Sequence, residues 1–237
     1  MKTYYGDFHI HTGLSPCADN DMSPSNIVNM AAIKGLDMIA VADHNSAQNL
    51  LSVNHNAEIN DILLIPAIEV NTKEEVHILC YFPNLKSCLK YSEYLYKLLP
   101  DIPCDPKYFG DQLIYDDDDH IIGKVDKLLI NSLPLTVDEI FDDIDDLQGV
   151  PIFAHIDKKV NSVLSSLGFI PPHLKVATVE VTPLFSPDSF KTPIFDPLPK
   201  TIRSSDAHSL KFINECDSAL YLEEKSITCF LNCLKQK

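Results

Sequence analysis

Short apolar runs of strand length recur along this chain, and five of the eight carry a histidine or a carboxylate as their last or next-to-last residue. They are 4–11 (YYGDFHIH), 37–43 (DMIAVAD), 62–70 (ILLIPAIEV), 74–82 (EEVHILCYF), 150–155 (VPIFAH), 175–181 (KVATVEV), 201–205 (TIRSS) and 218–222. Stretches of helical character separate them. One opens at Ser23-Pro24, serine as N-cap and proline at the first helical position, and closes at Gly35. Others run from Ser46 to Ile59, over 86–99, from Thr136 to Asp146 ahead of Gly149, and over 226–235. Strands alternating with helices predict an α/β fold on a parallel sheet, open or closed.

Residues 100–131 interrupt the alternation. QLIYDDDDHIIG (112–123) reads as two strands about an acidic turn, so a β-hairpin insertion is expected there, overhanging the barrel mouth or pairing with a second subunit. A proline-rich loop is expected over 183–199. With no internal repeat and no linker of biased composition, residues 1–237 read as one domain.

Composition sets the outer limits. A chain of 237 residues, 45% hydrophobic and 22% charged, can bury a sizeable core and is neither disordered nor fibrous. No apolar run approaches the roughly 18–20 residues of a membrane helix, so no membrane partner is expected. The N-terminus lacks the apolar stretch of a secretory signal, and the seven cysteines form no C-x-x-C pair. Both predict reduced thiols and a cytoplasmic location. Acidic residues outnumber basic ones 34 to 19, giving a net charge of −15, and Arg203 is the only arginine. Long nucleic acid, which demands several Lys/Arg against its phosphates, is therefore not an expected partner. Carboxylates and imidazoles gathered around cations suit this balance better.

The polar ends of the strands carry the chemistry. In a strand, residues i and i+2 share a face, so His9 and His11 can converge on one cation. Asp206 and His208 repeat the spacing in S-S-D-A-H. His44, Glu69, His77 and His155 belong to four further strands. A lone buried histidine is ordinarily a hydrogen-bonded core residue, and His55, His120 and His173 are read that way. Two same-face pairs plus four single residues, all at one sheet edge, are a different matter, because α/β folds build active sites at the C-terminal strand edge.

The set D-F-H-I-H-T, A-D-H-N, P-A-I-E, His77, F-A-H and S-D-A-H resembles the motifs of the PHP (polymerase and histidinol phosphatase) family, in order and over nearly the whole chain. Within it the chain is most similar to the stand-alone phosphoesterases. The resemblance implies a single-domain distorted (β/α)7 TIM-like barrel and a metal-dependent phosphoric ester hydrolase. Two or three divalent ions, Zn, Mn or Fe, would be held by His9, His11, His44, Glu69, His77, His155, Asp206 and His208. Glu69 would bridge, and Glu69, Asp206 and His208 would be the catalytic residues. After H-x-H the chain departs from the family pattern, and either Asp19 or Cys17 is placed to complete the ligand set; Asp19 is the preferred one.

A cation cluster cancels the charge of a phosphate ester and lowers the pKa of water towards neutrality. The expected nucleophile is hydroxide bridging the metals, and the expected substrate a small phosphorylated metabolite or nucleotide. Arg203 and Lys158 are candidate phosphate contacts, with Lys159 beside them. Asp7, Asp43 and Glu180 are candidates to accept imidazole N–H groups and fix their tautomers. The four aspartates at 116–119 are read as a solvated turn. Exonuclease-type hydrolysis of short oligonucleotides, a non-catalytic metal-binding regulatory domain, and amide or lactone hydrolysis are the rival readings. The oligomeric state is not legible in the sequence.

Overall fold

β1 (Lys2–Ile10) begins in solvent and ends wholly buried, delivering its C-terminal residues to the interior. It is followed by α1 (Pro24–Ile33), β2 (Met38–Val41), α2 (Leu50–Ile59), β3 (Leu63–Asn71), β4 (His77–Tyr81) and α3 (Leu85–Leu98). The next elements are α4 (Pro106–Phe109), β5 (Leu113–Tyr115), β6 (Ile121–Lys124), α5 (Val137–Asp146), β7 (Val150–Phe153) and α6 (Val163–Ser166). β8 (Thr178–Val181), β9 (Lys200–Arg203), β10 (Ala219–Leu222) and α7 (Ile227–Lys235) complete the chain. This computed structural model describes residues 1–186, 199–216 and 218–236. Residues 187–198 of the loop expected over 183–199 lie outside the described residues.

Six strands form one sheet in the order β10-β1-β2-β3-β4-β7, and β8 pairs with β9 alone. β1, β2 and β3 run parallel, but β4 is antiparallel to β3 and β7, and β10 is antiparallel to β1. The expected all-parallel sheet is thus corrected to a mixed one. Only residues 72–76 join β3 to β4, far too few for the crossover that a parallel pair requires. The sheet curls as a half-barrel, with the β8–β9 pair lying between its two ends. Ile156 N–H donates to the Glu180 carbonyl (3.0 Å), and His11 N–H to the Ala207 carbonyl (2.9 Å).

Two apolar layers flank the strands. Outside, Ile39, Val41, Leu64 and Ile78 pack against Ile27, Val53, Leu95 and Ile144 of the helices. Inside, Phe8, Met38, Ala40, Ile65, Leu79 and Ile152 close on Phe230 and Leu234 of α7. Each fully buried aliphatic or Phe side chain contributes about 1.5–3 kcal/mol.

One register detail decides where the site forms. Asp7 pairs with Ile39 but Ile10 pairs with Val41, so β1 carries one extra residue between them. The bulge keeps Ile10 in the outer layer while Phe8 packs inside. Asp7 and His9 therefore no longer share a face, as simple alternation had placed them. Asp7 instead accepts hydrogen bonds from the N–H groups of Ser205 and Asn214, both at 2.9 Å.

The hairpin β5–β6 forms inside the 100–131 segment, as expected. It lies against the 12–22 loop: Leu113 N–H donates to the Gly13 carbonyl (2.7 Å), and the Tyr115 hydroxyl to the Asn20 carbonyl (2.7 Å). α2 starts at Leu50 rather than at Ser46, because residues 44–49 have other work. The Asn49 amide donates to Thr12 Oγ1 (2.8 Å) and to the Leu113 carbonyl (3.0 Å), and its oxygen accepts from Tyr115 N–H (3.0 Å).

Candidate metal centre

One edge of the curled sheet collects the polar strand ends. His9 and His11 come from β1, His44 from just beyond β2, Glu69 from β3, His155 from beyond β7, and Asp206 and His208 from beyond β9. His77 is the first residue of β4, and it reaches this edge only because β4 runs backwards. All eight sequence-derived residues meet here. His55, His120 and His173 stay outside the cluster, but all three are exposed rather than the core residues expected from the sequence; His120 pairs with Asp116 and His173 with Asp138 in solvent.

Glu69 stands at the middle and is buried. Its Oε1 lies 2.7 Å from His77 Nδ1, 3.1 Å from His155 Nε2 and 3.5 Å from His9 Nε2. Its Oε2 lies 2.9 Å from His44 Nδ1 and 3.4 Å from His11 Nε2. His11 Nε2 is 3.0 Å from both His9 Nε2 and Asp206 Oδ1, and His9 Nε2 is 3.5 Å from Asp206 Oδ1. Two atoms each about 2.1 Å from one ion stand about 3.0 Å apart at a right angle and about 3.4 Å apart at a tetrahedral angle. The observed separations match the edges of such a polyhedron.

Among the described residues three overlapping sets present donors within 4.8 Å of one another: His9/His11/Glu69/Asp206, His44/Glu69/His77 and His11/His44/His208. His155 Nδ1 is buried without a hydrogen-bond partner, and His44 Nδ1 and Glu69 Oε2, 2.9 Å apart as an ion pair, lack hydrogen-bond geometry. A buried polar atom without a partner costs about 1–3 kcal/mol in an otherwise satisfied interior, and a cation would take up these lone pairs. Mixed imidazole and carboxylate donors suit Zn²⁺, Mn²⁺ or Fe²⁺. By donor chemistry, spacing and the unpartnered His155 nitrogen, these residues fit divalent metal ions.

Charge coupling runs through the cluster. Burial pushes Glu69 upward, yet His77, His9 and His44 more than reverse it and hold the carboxyl well below its ordinary range. Asp206 is held down in the same way by His9 and His11. His9 sits well above its usual range, burial being outweighed by Glu180, Asp206 and Glu69. Burial, reinforced by His208, drives His11 well below.

The surroundings of the two H-x-H imidazoles differ. Glu180 holds His9, with both carboxylate oxygens 3.1 Å from Nδ1, and also accepts the His155 N–H at 2.8 Å. This is the role the sequence suggested for Glu180. Asp43 does not touch the His44 ring as a hydrogen-bond acceptor. It accepts from Thr12 N–H (2.8 Å), Thr12 Oγ1 (2.8 Å) and Ser15 Oγ (2.7 Å), and Ser15 Oγ lies 2.9 Å from His11 Nδ1. Thr12 and Ser15 escaped the sequence reading because a hydroxyl in a loop carries no periodic pattern. His155 (φ 27°) and Asp206 (φ 52°) both sit in the left-handed region, backbone strain of the kind that surrounding contacts must sustain.

A cavity of about 290 Å³ opens on the cluster, lined among others by Cys17, Ile130, Lys158, Val160 and Asn161. Cys17, although exposed, lines this cavity; Asp19, the preferred ligand from the sequence, is exposed and does not line it. The reason is the tight turn at 15–18, closed by Ala18 N–H on the Ser15 carbonyl (3.0 Å), after which Asp19 N–H pairs with the His208 carbonyl (2.9 Å). Burial pushes the Cys17 thiol up, but His44 and His208 beside it bring it down to about 6. Lys158 reaches Asp206 Oδ2 from the rim. Burial works against its ammonium, and Asp206 outweighs that and holds it above its ordinary range. Arg203 is not brought to the cluster: it donates to the carbonyls of Pro183 (2.8 Å) and Phe185 (2.9 Å) and so braces that loop. A larger groove of about 550 Å³, between α5 and the 173–178 segment, is remote from these groups.

No family model matches the chain, and no curated protein matches it either. Solved structures do. The lesion-specific endonuclease Q of Pyrococcus furiosus superposes with a TM-score of 0.69 at 17% identity, covering 99% of this chain and 56% of that one. Endonuclease Q bound to a 27-mer duplex with an abasic lesion at the active site gives 0.65 at 17%, covering 99% and 57%. A proposed metal-dependent phosphoesterase from Bifidobacterium adolescentis gives 0.61 at 16%, covering 96% and 95%. The shared fold agrees with the PHP-type reading of the motifs. The chain spans little more than half of the endonuclease Q chain. These neighbours are hydrolases, an endonuclease and a phosphoesterase.

The duplex complex also corrects one expectation. A chain of the same fold carries long nucleic acid at its active site, so the acidic balance of 34 to 19 does not exclude such a partner here. Net charge counts the whole surface, whereas phosphate contacts depend on a local patch. Among the described residues no helix is long and apolar enough to cross a membrane.

Proposed function

We propose that this chain is a metal-dependent phosphoester hydrolase built on a distorted (β/α)7 barrel of PHP type, acting on a small phosphorylated metabolite or nucleotide. The observation that carries the reading is the buried Glu69 ringed by five imidazoles, with Asp206 completing one donor set. His9, His11, Glu69 and Asp206 would hold one ion; Glu69, His44, His77 and His155 a second; and His11 or Cys17 with His44 and His208 a third. When bound, such ions cancel phosphate charge and lower the pKa of water at the site. Lys158 supplies the fixed positive charge at the rim, placed to hold a non-bridging phosphate oxygen. Ile130 and Val160 offer an apolar wall for the organic half of the ester. Glu69, Asp206 and His208 remain the proposed catalytic residues.

A second reading, phosphodiester cleavage within a nucleic acid, is favoured by the endonuclease Q complex. One experiment separates them. Purified protein is assayed for bound metal, then for turnover with Mn²⁺ or Zn²⁺ on phosphomonoesters, short oligonucleotides and a duplex carrying an abasic site. Inorganic phosphate from monoesters supports the first reading, and strand cleavage supports the second. Bound metal with no turnover on any of them overturns both and leaves a metal-binding regulatory domain.

A further inference from the structure

The two imidazoles of H-x-H are held by different devices, and the second is a relay. His9 Nδ1 meets the Glu180 carboxylate directly. His11 Nδ1 meets a hydroxyl, Ser15 Oγ, at 2.9 Å. A hydroxyl has one proton and two lone pairs. The Ser15 proton is committed to Asp43 Oδ1 at 2.7 Å, and the His44 backbone N–H already donates to Ser15 Oγ at 3.2 Å. Towards His11, Ser15 can therefore only accept. His11 Nδ1 must carry a proton, so in the neutral ring the lone pair lies on Nε2, 3.0 Å from His9 Nε2 and Asp206 Oδ1.

We infer that Ser15 and Asp43 are positioning residues that fix His11 as its Nδ1–H tautomer and so prepare Nε2 as a metal donor. The relay is held rigidly. Asp43 is fixed by Thr12 N–H and Thr12 Oγ1, each at 2.8 Å, and Thr12 Oγ1 in turn accepts from the Asn49 amide at 2.8 Å. All five side chains, His11, Ser15, Asp43, Thr12 and Asn49, are buried. The direction of the serine proton is set by Asp43. The consequence for metal binding rests on the proposed role of His11 as a ligand; the tautomer itself does not.

The test uses the intact chain with ¹⁵N-labelled histidine. Two-bond ¹⁵N–¹H spectra of metal-free protein report the tautomer, and titration with Mn²⁺ or Zn²⁺ reports affinity. The wild-type chain is expected to show His11 as Nδ1–H. Ser15→Ala is expected to lose that preference and to bind metal about 10–100-fold more weakly, while Ser15→Thr, which keeps the hydroxyl, restores both. A wild-type His11 found as Nε2–H or as imidazolium overturns the relay, and this measurement needs no variant to fold. Unchanged tautomer and affinity in Ser15→Ala overturn it as well. Nδ1–H in the wild type, lost in Ser15→Ala, with no divalent ion bound by either, upholds the relay and overturns the metal reading.

Discussion

At the residue scale, side chains behind the metal-type donors fix how those donors are presented. Glu180 orients His9 and also pins the His155 backbone, so Glu180→Gln is expected to lower metal affinity about 10-fold or more, read by metal titration at constant pH. Lys158 has a different signature. A charge-assisted hydrogen bond is worth about 1.5–3 kcal/mol. Lys158→Ala should therefore raise KM for a phosphate ester about 10–100-fold with bound metal unchanged; a loss of metal instead would place Lys158 in support of Asp206. His9→Ala together with His11→Ala should abolish both metal and turnover, measured by elemental analysis and phosphate release. The ligand-type residues were legible because imidazoles and carboxylates at strand ends are conspicuous. Asp7 was misread because a β-bulge reverses faces without leaving a mark in composition, and Asp19 because a four-residue turn decides which side chain of a loop lines the cavity.

At the element scale, the acidic turn of the hairpin has a structural role. Asp116 closes the turn, accepting from the N–H groups of His120 (2.8 Å) and Asp118 (3.0 Å). Asp119 accepts from Ser25 N–H (3.0 Å) and Ser23 Oγ (2.7 Å) at the N-terminus of α1, where Ser23 itself makes no capping bond. The insertion thus caps a distant helix with a carboxylate. Asp119→Ala is expected to cost about 0.5–2 kcal/mol, seen as a lower denaturation midpoint, whereas Asp117→Ala on the exposed side should cost almost nothing. The hairpin was legible from its alternating residues and acidic turn. Its docking partner was not, since the contact joins residues 94 apart in sequence. The backwards course of β4 was likewise hidden, because a buried strand reads the same in either direction; only the five-residue link at 72–76 betrays it.

At the scale of the whole molecule, the centre ties β1, β2, β3, β4, β7 and β9 together at one rim. A ligand that binds only the folded chain stabilises it by about 2.7 kcal/mol at a hundredfold excess over Kd. For a chain of this size that corresponds to about 5–10 °C in Tm. Chelation should lower Tm by that amount, and restoring Mn²⁺ or Zn²⁺ should recover it; a scan unchanged by chelator would separate folding from metal binding. The sequence by itself determined the chemistry available, because residue type and strand-end placement are local properties: imidazoles and carboxylates at the polar ends of apolar runs can serve as donors wherever the chain carries them. Only the tertiary structure decided which of these donors share an ion's reach, and that Cys17 rather than Asp19 faces the cavity. It also decided that Ser15 links Asp43 to His11. Distances of about 3 Å between groups up to 207 residues apart depend on strand direction, register and turn geometry, which a one-dimensional pattern does not contain.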